Sequence, residues 1–154
     1  NGESGWSIVP MTGSLEPLDM SEDETKSMKQ MGDMDGDLYN WKEKGFDLTL
    51  IGEEEMEGTA VFKIKMVKPD GDEFIYYMDA ENYVVLRVDT KIMVQGAEME
   101  TSSTFSNFKS TNGIIVAHSV EQKMNGQLMM QMVLDSMEIN QEISDDIFEK
   151  PASN

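Results

Sequence analysis

The sequence predicts an α+β fold dominated by antiparallel strands, and three observations carry that expectation. From about Phe46 onward polar and apolar residues alternate with period two, the mark of strands with one buried face. Short turn-forming pairs and triplets punctuate the alternation. Only residues 20–45 change to a helical spacing, which makes helix an insertion in a strand-rich chain.

A first strand is expected in the opening stretch "GESGWSIVPMTG". The insertion then begins with Ser21-Glu22-Asp23-Glu24, a capping box in which the Ser hydroxyl and Glu carboxylate satisfy free amide donors at a helix start. Met31, Met34, Leu38 and Trp41 fall on one helical stripe, yet Gly32 and Gly36 predict two short helices and Gly45 a stop. Strand character resumes at "FDLTLIG", and the acidic run Glu53 to Gly58 reads as a charged hairpin tip. In "TAVFKIKMVK", Phe62, Ile64 and Met66 face one way and Lys63 and Lys65 the other. Pro69 to Gly71 supplies a turn, "EFIYYMD" the return strand, and Asp79 to Asn82 the next tight loop. Val84, Leu86 and Val88 then share one side of "YVVLRVD".

Residues Lys91 to Lys109 are strand-like but poor in large apolar groups, which predicts an edge or a long exposed strand. The firmest hairpin follows: "GIIVAHSVEQKM" and "QLMMQMVLDSMEI" flank Asn125-Gly126, a pair suited to both φ > 0 positions of a type I′ turn. Leu128, Met130, Met132 and Leu134 share one face of its second strand. The predicted order is one strand, the helical insertion, then about seven strands joined by hairpins.

At 154 residues the chain fits one domain, 1–154. Its formal charge is −18, and between residues 16 and 58 stand 14 Asp and Glu against 4 Lys. Such a field repels phosphate backbones and anionic lipid surfaces, so nucleic acid and direct anionic-membrane binding are not expected. The absence of Cys excludes disulfides, thiolate zinc and a cysteine nucleophile. No apolar run approaches the roughly 20 residues that span a bilayer.

Catalytic and metal signatures are weak. Asp33, Asp35 and Asp37 alternate as in a calcium loop, but the positions that would need Gly and a bidentate Glu hold Leu38 and Lys44. His118, the single histidine, lies in a predicted strand with no nucleophile elbow beside it, and reads as a hydrogen-bonded strand histidine. Carboxylates are too abundant for any pair to be informative, and no Gly-rich phosphate loop with its lysine is present. No cofactor is expected, and enzyme activity is the weaker class.

The anomaly is 15 Met. Methionine fills irregular core gaps, its more common use, or lines a cavity whose walls must repack around flexible apolar ligands. Met occurs both in predicted strands, at 66, 78, 93, 130 and 132, and in the insertion, at 28, 31 and 34. Both readings remain open on the residues alone.

The order of short signals adds a resemblance. "GESGWSIVPMTG", "LIGEEEMEGTAVFKIKM", "DGDEFIYYMDAENYVVLRV" and the closing "EINQEISDDIFEKP" together resemble the LolA/LolB-like outer-membrane lipoprotein-sorting family, over nearly the whole chain. One departure is Ala117-His118, where the family usually places Pro. In the closing motif Ser144 is expected to cap a helical turn and Phe148 to tuck under the sheet.

The resemblance implies a strongly curved antiparallel half-barrel, covered on its concave apolar face by short helices, with residues 20–45 as lid. It also implies a periplasmic carrier or sensor for the acyl chains of lipoproteins or other amphiphiles, with no covalent chemistry. The expected binding residues are Phe62, Ile64, Met66, Val84, Leu86, Val88, Met130, Met132 and Leu134 on the strands, with Met28, Met31, Leu38 and Trp41 in the lid. Each also reads as ordinary core packing. Family members place a helix and strands ahead of the Gly-Trp strand, so the chain is expected to lack those N-terminal elements and to dimerise through an exposed sheet edge. The competing expectation is a protein-interaction module that uses an acidic face or sheet edge, with Met only as core.

Overall fold

The computed structural model describes residues 4–9, 16–32, 35–94 and 97–151. They fall into two compact units, residues 1–39 with 141–154, and residues 40–140.

In the first unit β1 (Trp6–Ser7) pairs antiparallel with β2 (Leu18–Asp19), and α1 (Glu22–Met31) follows. The two-residue strand β2 carries too little alternation to be read from sequence. The capping box forms as expected: the Ser21 amide donates to Glu24 Oε2 at 2.7 Å, and the Glu24 amide to Ser21 Oγ at 3.3 Å. The Ser21 amide, and after it the Ser21 hydroxyl donating to the same Oε2 at 2.7 Å, hold the exposed Glu24 carboxyl below its usual range. Near the C-terminus Ser144 caps a single 3-10 turn, Asp145–Phe148, and Lys150 bridges to Asp19 at 2.6 Å. Phe148 corrects an expectation, because it is 68% exposed rather than tucked away.

The second unit opens with one helical turn closed by a Schellman motif. The Phe46 amide reaches the Trp41 carbonyl at 2.9 Å and the Gly45 amide that of Lys42 at 3.0 Å, with Gly45 at φ +75°. Gly45 is therefore the stop read from the sequence. Seven strands follow in chain order: β3 (Asp47–Met56), β4 (Thr59–Val67), β5 (Glu73–Asp79), β6 (Val85–Val94), β7 (Ala97–Thr111), β8 (Ile114–Met124) and β9 (Gln127–Val133). Each pairs antiparallel with the next, giving a curved meander that does not close. Strands β3 and β9 are its two edges.

Two-residue loops with both φ positive join β3 to β4 (Glu57-Gly58), β7 to β8 (Asn112-Gly113) and β8 to β9 (Asn125-Gly126). This is the backbone that type I′ hairpins demand, and its twist matches that of the flanking strands. At the β5–β6 loop Asp79 Oδ1 accepts the Glu81 and Asn82 amides, both at 2.8 Å, which lowers the Asp79 pKa.

The segment Lys91 to Lys109 differs from expectation. It forms the end of β6 and most of β7, which are interior strands with neighbours on both sides. Its small polar residues pack in the sheet, as buried Thr101 shows at 8% exposure, so low hydrophobicity there does not mark an edge.

Gly126→Ala tests the hairpin. Open space surrounds the position, so only the φ of +78° opposes the new side chain. Urea unfolding should show a loss of about 1–2 kcal/mol at constant m-value; an unchanged midpoint would contradict the turn geometry.

Candidate functional site

Register decides which side chains share a face. A continuous row crosses all seven strands: Leu50, Ile64, Tyr76, Val88, Ser103, Gln122 and Met130 are successive cross-strand partners. The row beside it holds Leu48, Met66, Phe74, Thr90, Thr101 and Met124, and Phe62 pairs with Met78 on the same side. Met132 joins this face opposite Val120. The expected strand residues came from β4, from β6 with the loop before it, and from β9 with Leu134 after it, and left out Leu48, Leu50, Phe74 and Tyr76, although "FDLTLIG" and "EFIYYMD" show the alternation that places them.

The opposite face is charged. Lys63 pairs with Glu54 at 3.2 Å, Lys65 with Glu73 at 2.6 Å, and Lys91 with Glu98 at 2.7 Å. The bond that the Lys63 ammonium donates to Glu54 holds it above the usual lysine range, and Asp89 does the same for Arg87. Lys63 and Arg87 also approach the Tyr77 ring from the two neighbouring strands, 5.1 and 5.4 Å from its centroid. The sheet is thus two-sided around Tyr77, one surface carrying ion pairs and one apolar, although Val61 on the charged side is fully buried.

Cover on the apolar face is uneven. Met66 is fully buried and Tyr76 nearly so, whereas Leu50 is 60%, Met130 50% and Met132 53% exposed. Phe62, Ile64 and Val88 are half-buried. Among these side chains exposure is therefore lowest at β4 and β5 and rises toward both edges.

The remaining predicted binding residues are placed as follows. A β-bulge between the Tyr77–Arg87 and Met78–Val85 pairs interrupts the alternation, so Leu86 lies in the bulge and Val84 in the loop before β6. Leu134 follows β9 and donates its amide to the His118 carbonyl at 2.9 Å. Met28 and Leu38 belong to the first unit and Trp41 to the second. Met31 ends α1, and its side chain lies outside the described residues. Asp33 and Met34 lie outside them as well.

Within the first unit a shallow depression of about 240 Å³ is lined by Ser4, Gly5, Met20, Thr25, Met28 and Lys29. His118 is buried, and its Nδ1 lies 2.6 Å from the Leu134 carbonyl. Among the described residues no three His, Asp or Glu side chains converge as metal ligands, and no helix is long and apolar enough to cross a membrane.

Comparison with solved structures agrees with this architecture. A domain named for outer membrane lipoprotein sorting, from Vibrio parahaemolyticus, superposes with a TM-score of 0.63 at 17% identity over 96% of this chain. This chain spans 64% of that structure's length. A LolA superfamily protein from Nitrosomonas europaea aligns over 94% of this chain and 66% of its own, at 12% identity and a TM-score of 0.48. No family model and no curated protein matches the chain. The fold is shared with the Vibrio domain at low sequence identity.

Burial separates the methionines by role. Met66→Ala should cost about 2–5 kcal/mol in urea unfolding, as full truncation of a core side chain does. Met132→Ala, already half in solvent, should cost about 1 kcal/mol or less; equal losses would contradict the burial gradient.

Proposed function

We propose that the chain binds the acyl chain of a lipidated protein, or another amphiphile, against the apolar face of its sheet, and serves as a periplasmic carrier or sensor without covalent chemistry. The observation that carries this reading is the burial gradient, with its exposed ends at Leu50 on one side and Met130 and Met132 on the other. An exposed apolar surface on a strongly charged protein marks a binding site. A LolA-like fold supports the same reading.

Binding of this kind needs no reactive group. Each methylene taken from water contributes about 0.8 kcal/mol, and unbranched thioether side chains adjust to chains of different length and bend. The half-buried Phe62, Ile64 and Val88 would form the floor, and Met130, Met132 and Leu134 one pliable margin. We assign Val84 and Leu86 to the rim beside the bulge.

A second reading rests on the edges. Strand β3 carries Glu53, Glu54 and Glu55 and a bulge at Ile51, both of which discourage added strands. Strand β9, "QLMMQMV", has no charge, and all seven residues are exposed. It would accept a strand from a partner or from a second copy of the chain.

Native mass spectrometry of protein purified from cells, together with displacement of a fluorescent fatty acid, separates these readings. The carrier predicts co-purified lipid and saturable displacement. Protein free of lipid that fails to bind the probe, yet captures a partner in a salt-dependent manner, would replace the carrier with the interaction module.

A further inference from the structure

Thioether groups gather in solvent on one strand. Met129, Met130 and Met132 of β9 are exposed at 62%, 50% and 53%, whereas Met66, on the same apolar face as Met130 and Met132, is fully buried. The edge position accounts for the difference, since β9 has a neighbour on one side only. Met129 is in addition the extra residue of a β-bulge, between the Lys123–Leu128 and Gln122–Met130 pairs.

Exposed thioethers react with oxidants, and nothing in this chain competes with them. The sequence has no Cys, so no thiolate intercepts the oxidant first. A formal charge of −18 repels anionic oxidants and leaves a neutral peroxide free to approach. In the reaction the sulfur lone pair attacks one peroxide oxygen, the O–O bond breaks and an S–O bond forms. Sulfur gives up two electrons, and the second oxygen leaves as water with both protons. The product is a polar, chiral sulfoxide in place of a flexible apolar side chain. Hydrocarbon cannot hydrogen-bond that oxygen, so an acyl chain laid over it would strip its water without compensation.

We propose that Met130 and Met132 form an oxidant-sensitive modification site, at which a neutral peroxide makes sulfoxides and the margin of the apolar face then loses its acyl chain. The inference rests on the carrier reading and adds its regulation. Methionine sulfoxide reductases restore the thioether, so the loss is reversible. Met28, 52% exposed on α1, oxidises as well, and a variant of β9 decides which sulfoxides matter.

Graded hydrogen peroxide, followed by peptide mapping and titration with the fluorescent fatty acid, tests this. Met129, Met130 and Met132 should each gain one oxygen before Met66 does. Probe affinity should fall at least about tenfold, the effect of setting an unpaired polar group against hydrocarbon, while the Met66 methyl resonance keeps its position and reports an intact fold. Met130→Leu with Met132→Leu keeps apolar volume and removes the oxidisable sulfurs; whatever its starting affinity, this variant should bind the probe equally before and after peroxide. Binding that survives sulfoxides at Met130 and Met132, oxidation of Met66 as early as β9, or a double variant that still loses affinity on oxidation would overturn this inference alone. Probe binding absent before any peroxide is added would overturn the carrier reading along with it.

Discussion

One constraint shapes the second unit: a single antiparallel sheet has an apolar face that must be removed from water, and the open meander leaves its two ends uncovered. Seven strands place an unbroken row from Leu50 to Met130 on that face. Tyr76 in that row is buried, its neighbours Ile64 and Val88 are half-buried, and the ends are exposed. Opposite it, alternate residues form cross-strand ion pairs around Tyr77, so the sheet cannot turn over without burying charge. In the proposed carrier, stability and ligand affinity would draw on the same surface.

Much of this was legible in the sequence because antiparallel pairing writes itself with period two. Lys63 and Lys65 against Ile64 and Met66 fixed the two faces of β4, and Asn125-Gly126 fixed a hairpin by the φ it allows. The capping box at Ser21 and the stop at Gly45 were equally local. What escaped was non-local. The bulge that displaces Leu86 depends on the register with β5. The interior position of β7 depends on neighbours from both sides, and no pattern within "ETSSTFSNFKS" reports them. Phe148 looks like a core residue by type, yet it is exposed.

The methionines take different places according to whether their strand has neighbours on both sides. Met66, in β4 between edge strand β3 and interior β5, has become fixed core. Met130 and Met132, on an edge strand, keep about half their surface in solvent. A branched side chain would serve in the first place as well as Met does. In the second, three rotatable bonds let the same residue lie flat in water or stand against a ligand. The contrast between the edges follows the same logic, since β3 is guarded by three consecutive glutamates and β9 by none.

Methyl NMR of methionine-labelled protein with a nitroxide-bearing fatty acid tests most directly that an acyl chain lies on this face. The account predicts that Met130 and Met132 broaden strongly, while Met56, on the charged face beside Thr59, keeps its signal. Broadening of Met56 to the same extent, or of no methionine at all, would contradict it.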